Sequence, residues 1–166
     1  MLTDETYKKV FAKDIMTKKV LTTSLEMSLL EVARIISEHN FNGLPVVDKE
    51  NHVLGIVTEY DLIDKASEIT VKTLKKALQD IHERTNGDKG FKHKAEEIYP
   101  LKVSDVMTKD PITVGPDTSI EDLMELFRKN QRVNPVPIVD KDRKLLGLVS
   151  RTDILRPFDI FRYASR

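Results

Sequence analysis

Between Ser28 and Asn40 the apolar residues Leu29, Val32, Ala33 and Ile36 recur at i, i+3, i+4 and i+7. Between Ser119 and Gln131, Ile120, Leu123, Met124 and Phe127 repeat that spacing. Such a pattern puts one apolar face on a helix, so two amphipathic helices are predicted. Short apolar runs flank them. Val20 to Thr22 and Ile112 to Val114 read as first strands, Val46-Val47 and Ile138-Val139 as strands following a proline, and Val53 to Val57 and Leu145 to Val149 as buried strands. The polar turns Asp48-Lys49-Glu50-Asn51 and Asp140-Lys141-Asp142-Arg143 join the last two strands of each half into a hairpin. A second helix is expected after each buried strand.

The halves carry the same blocks in the same order, the signature of an internal repeat. Asp14-Ile15-Met16-Thr17 recurs as Asp105-Val106-Met107-Thr108, and Pro45-Val46-Val47-Asp48 as Pro137-Ile138-Val139-Asp140. Leu54-Gly55-Ile56-Val57-Thr58-Glu59-Tyr60-Asp61 recurs as Leu146-Gly147-Leu148-Val149-Ser150-Arg151-Thr152-Asp153. The second copy has one extra residue near Asn134-Pro135. Each copy reads β-α-β-β-α, a mixed α/β (α+β) unit too small to bury both faces of its own sheet. Two copies are therefore expected to pack sheet to sheet over a shared core. The divisions are 10–64 for the first repeat, 65–100 for a connection, 101–156 for the second repeat and 157–166 for a tail. In the connection, Val71, Leu74, Leu78 and Ile81 share one face of an expected extra helix, and Asn86-Gly87-Asp88-Lys89-Gly90 reads as a turn. That helix either packs on the outside of the pair or meets a second subunit or a partner.

Composition narrows the function classes. The chain has 166 residues, 40% hydrophobic and 33% charged, with 27 basic and 27 acidic residues and no cysteine. Balanced charge gives no general attraction to nucleic acid or anionic membrane. The tail mixes Phe158, Phe161 and Tyr163 with Arg162 and Arg166, a combination able to stack on bases, but docking on its own domain or a dimer mate is favoured over nucleic acid. Without cysteine there is neither disulfide nor thiolate chemistry. His39, His52, His82 and His93 lack the close spacing of a zinc site, so no metal is expected. No apolar run approaches a membrane span and no signal segment opens the chain, so a cytoplasmic location is expected.

The duplicated Asp-hydrophobic-Met-Thr opening, hydrophobic-Pro-hydrophobic strand and Gly-hydrophobic-hydrophobic-Thr/Ser-x-x-Asp ending resemble those of a CBS domain pair, or Bateman module, over residues 10 to 64 and 101 to 156. The resemblance implies a pseudo-twofold pair with a cleft on either side, and often a homodimer of four repeats. It also implies a regulatory ligand of adenosine type rather than a required cofactor. AMP, ADP, ATP, S-adenosylmethionine and cyclic dinucleotides all remain open.

The ending of each repeat has a direct physical reading. Thr58 and Ser150 stand at helix N-caps with Asp61 and Asp153 at N3, the arrangement of a capping box. A helix start bearing a hydroxyl is also suited to an anion, and a carboxylate one turn in can accept both ribose hydroxyls. In proteins similar to this one, that Ser/Thr contacts phosphate and that Asp contacts ribose. Arg151, beside Ser150, is expected to pair with phosphate, whereas its counterpart Glu59 repels it. The second site is thus expected to prefer phosphorylated adenosines, and the first, where Tyr60 adds bulk, to stay empty or hold a less anionic ligand. Candidates for the apolar base slot are Ile15 and Met16 with Leu44 and Pro45, and Val106 and Met107 with Val136 and Pro137, though core packing explains each singly. Thr22 and Thr113 are candidate polar contacts.

No nucleophile elbow, Gly-rich phosphate loop or metal cluster stands out. Asp61 and Asp153 are one carboxylate per repeat, as in a duplicated binding site rather than an acid and a base of distinct roles. The expectation is a non-catalytic sensor whose regulated protein is unknown. The alternative is a ligand-free dimerisation or partner-interaction module.

Overall fold

The computed structural model describes residues 10–64 and 101–156. The expected helix from Val71 to Ile81, the turn at Asn86 to Gly90, the tail, His82 and His93 lie outside them. In chain order the described elements are α1 (Ala12–Ile15), α2 (Leu29–His39), β1 (Gly43–Val47), β2 (Val53–Thr58), α3 (helical residues 59–64), α4 (Val103–Val106), β3 (Thr108–Lys109), α5 (Ile120–Lys129), β4 (Val136–Val139), β5 (Leu145–Val149) and α6 (helical residues 151–156). None of the described helices is long and apolar enough to cross a membrane.

The two long helices begin where their caps place them. Ser28 Oγ accepts the Glu31 N–H at 3.2 Å, and Ser119 Oγ accepts the Asp122 N–H at 3.1 Å. A hydroxyl here satisfies a backbone donor that the helix cannot. Both helices turn their apolar face inward: Leu29, Val32 and Ile36 are buried in α2, and Ile120, Leu123 and Phe127 in α5. β1 pairs antiparallel with β2, and β4 with β5, each with a register shift, between Val46 and Val47 and between Ile138 and Val139.

The expected first strands reduce to single bridges. Thr23 pairs with Val46 and Val114 with Ile138, both in parallel. Each bridging residue makes both backbone bonds available to it. The Thr23 N–H donates to Pro45 O, and its carbonyl accepts from Val47 N–H; Val114 does the same with Pro137 and Val139. Two bonds suffice to fix the crossing, and no longer ladder forms.

The opening segments cross over. Residues around α1 pack on the second repeat: the Ala12 N–H donates to Thr118 O, and Thr17 and Leu148 exchange backbone bonds at 2.9 and 3.0 Å. Residues around α4 pack on the first: the Val103 N–H donates to Met27 O, and β3 adds to the edge of β2, with Thr108 opposite Ile56. The core accordingly consists of two clusters, each completed by the other repeat. One joins Leu29, Val32, Leu44, Val46 and Val57 to Val103, Val106 and Met107; the other joins Ile120, Leu123, Val136, Ile138 and Val149 to Ala12, Ile15 and Met16. The expected shared core is in this sense an exchange. Gly55 and Gly147 mark where it is tightest. A Cβ on Gly147 would lie 2.7 Å from Met16 Sδ and 2.8 Å from Thr17 O; on Gly55 it would lie 2.6 Å from Met107 Sδ and 2.9 Å from Thr108 O. Only glycine lets the other repeat's backbone approach so closely.

Candidate ligand cleft between the repeats

Both repeat endings build the predicted box. At the end of β5, the Ser150 N–H and hydroxyl each donate to Asp153 Oδ2 at 2.7 Å, and the Asp153 N–H returns to Ser150 Oγ at 3.3 Å. At the end of β2, the Thr58 N–H and hydroxyl donate to Asp61 Oδ2 at 2.9 and 2.8 Å, and the Asp61 N–H returns to Thr58 Oγ1 at 3.3 Å. Both carboxylates are buried. Each uses Oδ2 within the box and Oδ1 outside it. Asp61 Oδ1 accepts a long bond from the Thr108 hydroxyl at 3.4 Å, whereas Asp153 Oδ1 meets Arg156 Nη1 at 3.1 Å.

A cleft of about 300 Å³ opens beside the second box, at the lower end of the usual range for small-molecule sites. Ser150, Thr152, Asp153 and Arg156 form one side, with Leu148 and Pro135. The other side comes from the first repeat: Thr17, Lys19, Val20 and Leu21 from the crossing segment, and His39 through Leu44 from the end of α2 and start of β1. The crossover brings these groups together, since Thr17 is tied to Leu148 by backbone bonds. His39 stacks on Phe41 with ring centroids 5.1 Å apart and 16° between planes, giving the cleft an aromatic wall. Two permanent cations, Lys19 and Arg156, share it with one carboxylate. Such a lining suits a molecule with an anionic end and a hydrogen-bond-donating middle.

The remaining candidates separate. Ser150, Asp153 and Leu44 line this cleft. Thr58 and Asp61 form the first box. Pro45, Val136 and Pro137 are fully buried, Met16 packs beneath Gly147 against the second core cluster, and none of these four is among the residues lining this cleft. The opening segment of one repeat lies on the ending of the other. Thr22 lines a separate shallow groove with Thr23, Met27, Asp48 and Glu50. Thr113 is half-buried, next to the Val114 bridge, and is absent from the lining of either cavity.

Arg151 is engaged elsewhere in this structure. Its Nη2 sits among the carbonyl oxygens of Phe127, Asn130 and Gln131 at 2.9 to 3.0 Å, and its guanidinium lies 5.1 Å from the Phe127 ring centroid. It closes the C-terminal end of α5, where a cation answers unpaired carbonyls and the helix dipole. The first repeat needs no such cation, because Asn40 ends α2 in the left-handed conformation at φ 53°. The extra residue also finds a use: Asn134 Oδ1 accepts the Arg151 N–H at 3.0 Å, where the first repeat has Asn42 O accepting from Glu59 N–H at 3.1 Å. Sequence reasoning missed Lys19, His39 and Arg156. A charged residue one turn beyond Asp153 was the available signal for Arg156.

Asp48, Glu50 and His52 gather in the first hairpin turn with ligand atoms within 4.8 Å of one another. Asp48 Oδ1 accepts the Glu50 and His52 N–H groups, and Oδ2 lies 2.9 Å from His52 Nδ1. Bonds from His52 hold the Asp48 carboxyl below its ordinary range, with the Glu50 N–H adding to them. These contacts explain the cluster as a turn.

Comparison with known proteins identifies the repeated unit. The CBS domain profile matches residues 12–68 and 103–159. Inosine-5'-monophosphate dehydrogenase of Methanocaldococcus jannaschii is 32% identical over 145 residues, which is 87% of this chain and 23% of that one. The chain thus spans under a quarter of that relative's length. Among solved structures, CBSX2 of Arabidopsis thaliana in complex with AMP is similar at TM-score 0.66 and 25% identity, covering 92% of this chain and 98% of that one. The CBS domain pair of protein MJ0100, in complex with 5'-methylthioadenosine and S-adenosyl-L-methionine, is similar at TM-score 0.64 and 28% identity, covering 90% and 99%.

Proposed function

This chain belongs to the CBS domain family, carrying that domain twice, and from this premise we propose that it is a regulatory module sensing an adenosine nucleotide in the cleft lined by Ser150 and Asp153. The observation that carries the reading is the lining. Residues of both repeats meet there, a buried carboxylate stands beside a hydroxyl, and Lys19 and Arg156 supply positive charge. Asp153 accepts ribose hydroxyls at Oδ1; the phosphate takes Lys19 and Arg156, with the Ser150 hydroxyl turning to it from Asp153 Oδ2; the base lies toward His39, Phe41 and Leu44. The adenosine-type ligands of CBSX2 and of the MJ0100 pair support the class of ligand. AMP is favoured over S-adenosylmethionine because the lining has more cation than carboxylate.

A ligand spanning both repeats changes their relative position only through its different affinity for the two arrangements. The output is read by a partner protein, with a homodimer in the cytoplasm as the working form and no catalysis by the module. A second reading has one observation in its favour: the Ser150–Asp153 box is complete in its internal hydrogen bonds, as a pure helix cap would be. On that reading the chain is a ligand-free assembly module.

Thermal melting separates the two. Wild type and Asp153→Ala are melted with AMP, ADP, ATP, S-adenosylmethionine and a cyclic dinucleotide in turn. The sensor reading expects a ligand-dependent rise, about 2.7 kcal/mol of added stability at a hundred times the dissociation constant, that Asp153→Ala abolishes. The assembly reading expects the cap loss of about 0.5–2 kcal/mol in the variant and no ligand effect in either protein.

A further inference from the structure

Arg156 touches the oxygen of Asp153 that lies outside the Ser150 box. Oδ2 is occupied by the Ser150 N–H and hydroxyl, both at 2.7 Å, and Arg156 Nη1 lies 3.1 Å from Oδ1. The two partners differ in exposure. The Asp153 side chain is 5% exposed and held by its box, whereas the Arg156 side chain is 63% exposed. The carboxylate is part of the cleft wall, and the guanidinium is its solvent-facing partner.

A sugar diol donating to Oδ1 competes with Arg156 for that oxygen. A bare nucleoside must displace the guanidinium into water and gives it nothing in return. A nucleoside phosphate displaces the same contact but offers the guanidinium a new anion within the same cleft, which Lys19 also lines. An exchange of anionic partners leaves the arginine paired throughout, and guanidinium suits phosphate geometry as well as it suits carboxylate. We propose that Arg156 is the specificity-determining residue of this cleft, guarding Asp153 against bare nucleosides and moving onto the phosphate of a nucleotide. This inference rests on the nucleotide reading of the cleft and adds to it the residue that discriminates.

The same geometry argues for Arg156 over its neighbours. Arg151 is engaged at the end of α5, and Lys19 lines the cleft without a hydrogen bond to Asp153 that a sugar must break. Among the described cations of the cleft, Arg156 is the one in contact with Asp153.

Isothermal titration of AMP and of adenosine into wild type, Arg156→Ala and Arg156→Lys tests it. The expected result is opposite signs: Arg156→Ala weakens AMP by about tenfold, the scale of one charge-assisted hydrogen bond, and binds adenosine more tightly than wild type. Arg156→Lys, which keeps the charge and loses the fork, falls between. If both ligands weaken by the same factor in Arg156→Ala, or neither changes, the inference is overturned and the reading of the cleft survives. If wild type binds neither AMP nor adenosine, the reading of the cleft fails, and the inference fails with it.

Discussion

Around Asp153 stand Lys19, His39 and Arg156; at the equivalent positions around Asp61 the repeat places Asp110, Asn130 and Asp64. The boxes themselves match bond for bond, with the same Ser/Thr hydroxyl on Oδ2 and the same returned N–H. What differs is charge, and both permanent cations of one side become carboxylates on the other. Asp110 is paired with Arg143 at 2.9 Å, and Arg132 lies 4.7 Å from the Tyr60 ring centroid, so the first side has its own ion and ring contacts. The lesson is about which features the scaffold demands. A helix start needs its cap and a crossing needs its glycine, so those recur. The rim is free to diverge, and there one duplicated frame becomes two chemically distinct sites.

The largest expected effect concerns what the halves share. Gly147→Ala and Gly55→Ala should each destabilise the fold by about 1–3 kcal/mol, because the added methyl meets a backbone oxygen that cannot move aside alone. Denaturant unfolding should find the two losses similar. A large loss at one glycine and none at the other would show that the crossings are not equivalent.

Next comes the charge contrast. Lys19→Asp copies the first side's residue into the second cleft and should weaken AMP by about tenfold at low salt, with the loss shrinking as salt screens the rim. A change independent of ionic strength would place Lys19 outside the phosphate's field.

Arg151 and Glu59 sharpen the point that matched positions need not share a role. Arg151→Ala should cost about 1 kcal/mol of stability by unpairing the end of α5, and should leave AMP affinity within about twofold. Glu59→Ala should do neither. Loss of AMP affinity in Arg151→Ala would return that residue to the ligand.

The smallest effect is on the outer helix faces. In α5 the Glu125 carboxyl is held down to about 2, from an ordinary 4.5, by bonds to Arg128 and Lys129. A folded-state pKa below the unfolded one adds stability above pH 4.5 that is lost as the pH falls towards 2. The group is exposed, so the effect is slight and screened by salt. Glu125→Gln should flatten the melting curve between those pH values. The corresponding position in α2 is Arg34, whose contact with Glu38 is 4.0 Å, and Arg34→Gln should leave the acid limb alone.

The helices were legible because their apolar spacing is local and Ser28 and Ser119 announce their starts. The hairpins were legible from polar turns between apolar runs. Val20 to Thr22 and Ile112 to Val114 misled because their composition suits a strand while the fold pairs only Thr23 and Val114. The crossover of the opening segments is non-local. Its traces in the sequence are Met16 and Met107, and Gly55 and Gly147, two fitting halves with nothing to say which methionine meets which glycine. Ser150 and Asp153 could be named from a motif. Lys19 and His39 could not, because they reach the cleft only through that crossover. The contact of Arg151 is hidden for a related reason: its partner is the end of α5, about twenty residues earlier, and spacing does not reveal where that helix stops.

The most direct test of the central claim, an adenosine nucleotide held at Asp153 and not at Asp61, is calorimetric titration of AMP into wild type, Asp153→Ala and Asp61→Ala. The account predicts one AMP per chain, binding abolished in Asp153→Ala, and affinity within about twofold of wild type in Asp61→Ala, since Asp110 and Asp64 stand on the first side where Lys19 and Arg156 stand on the second. Binding that survives Asp153→Ala, or is lost equally in both variants, would contradict it.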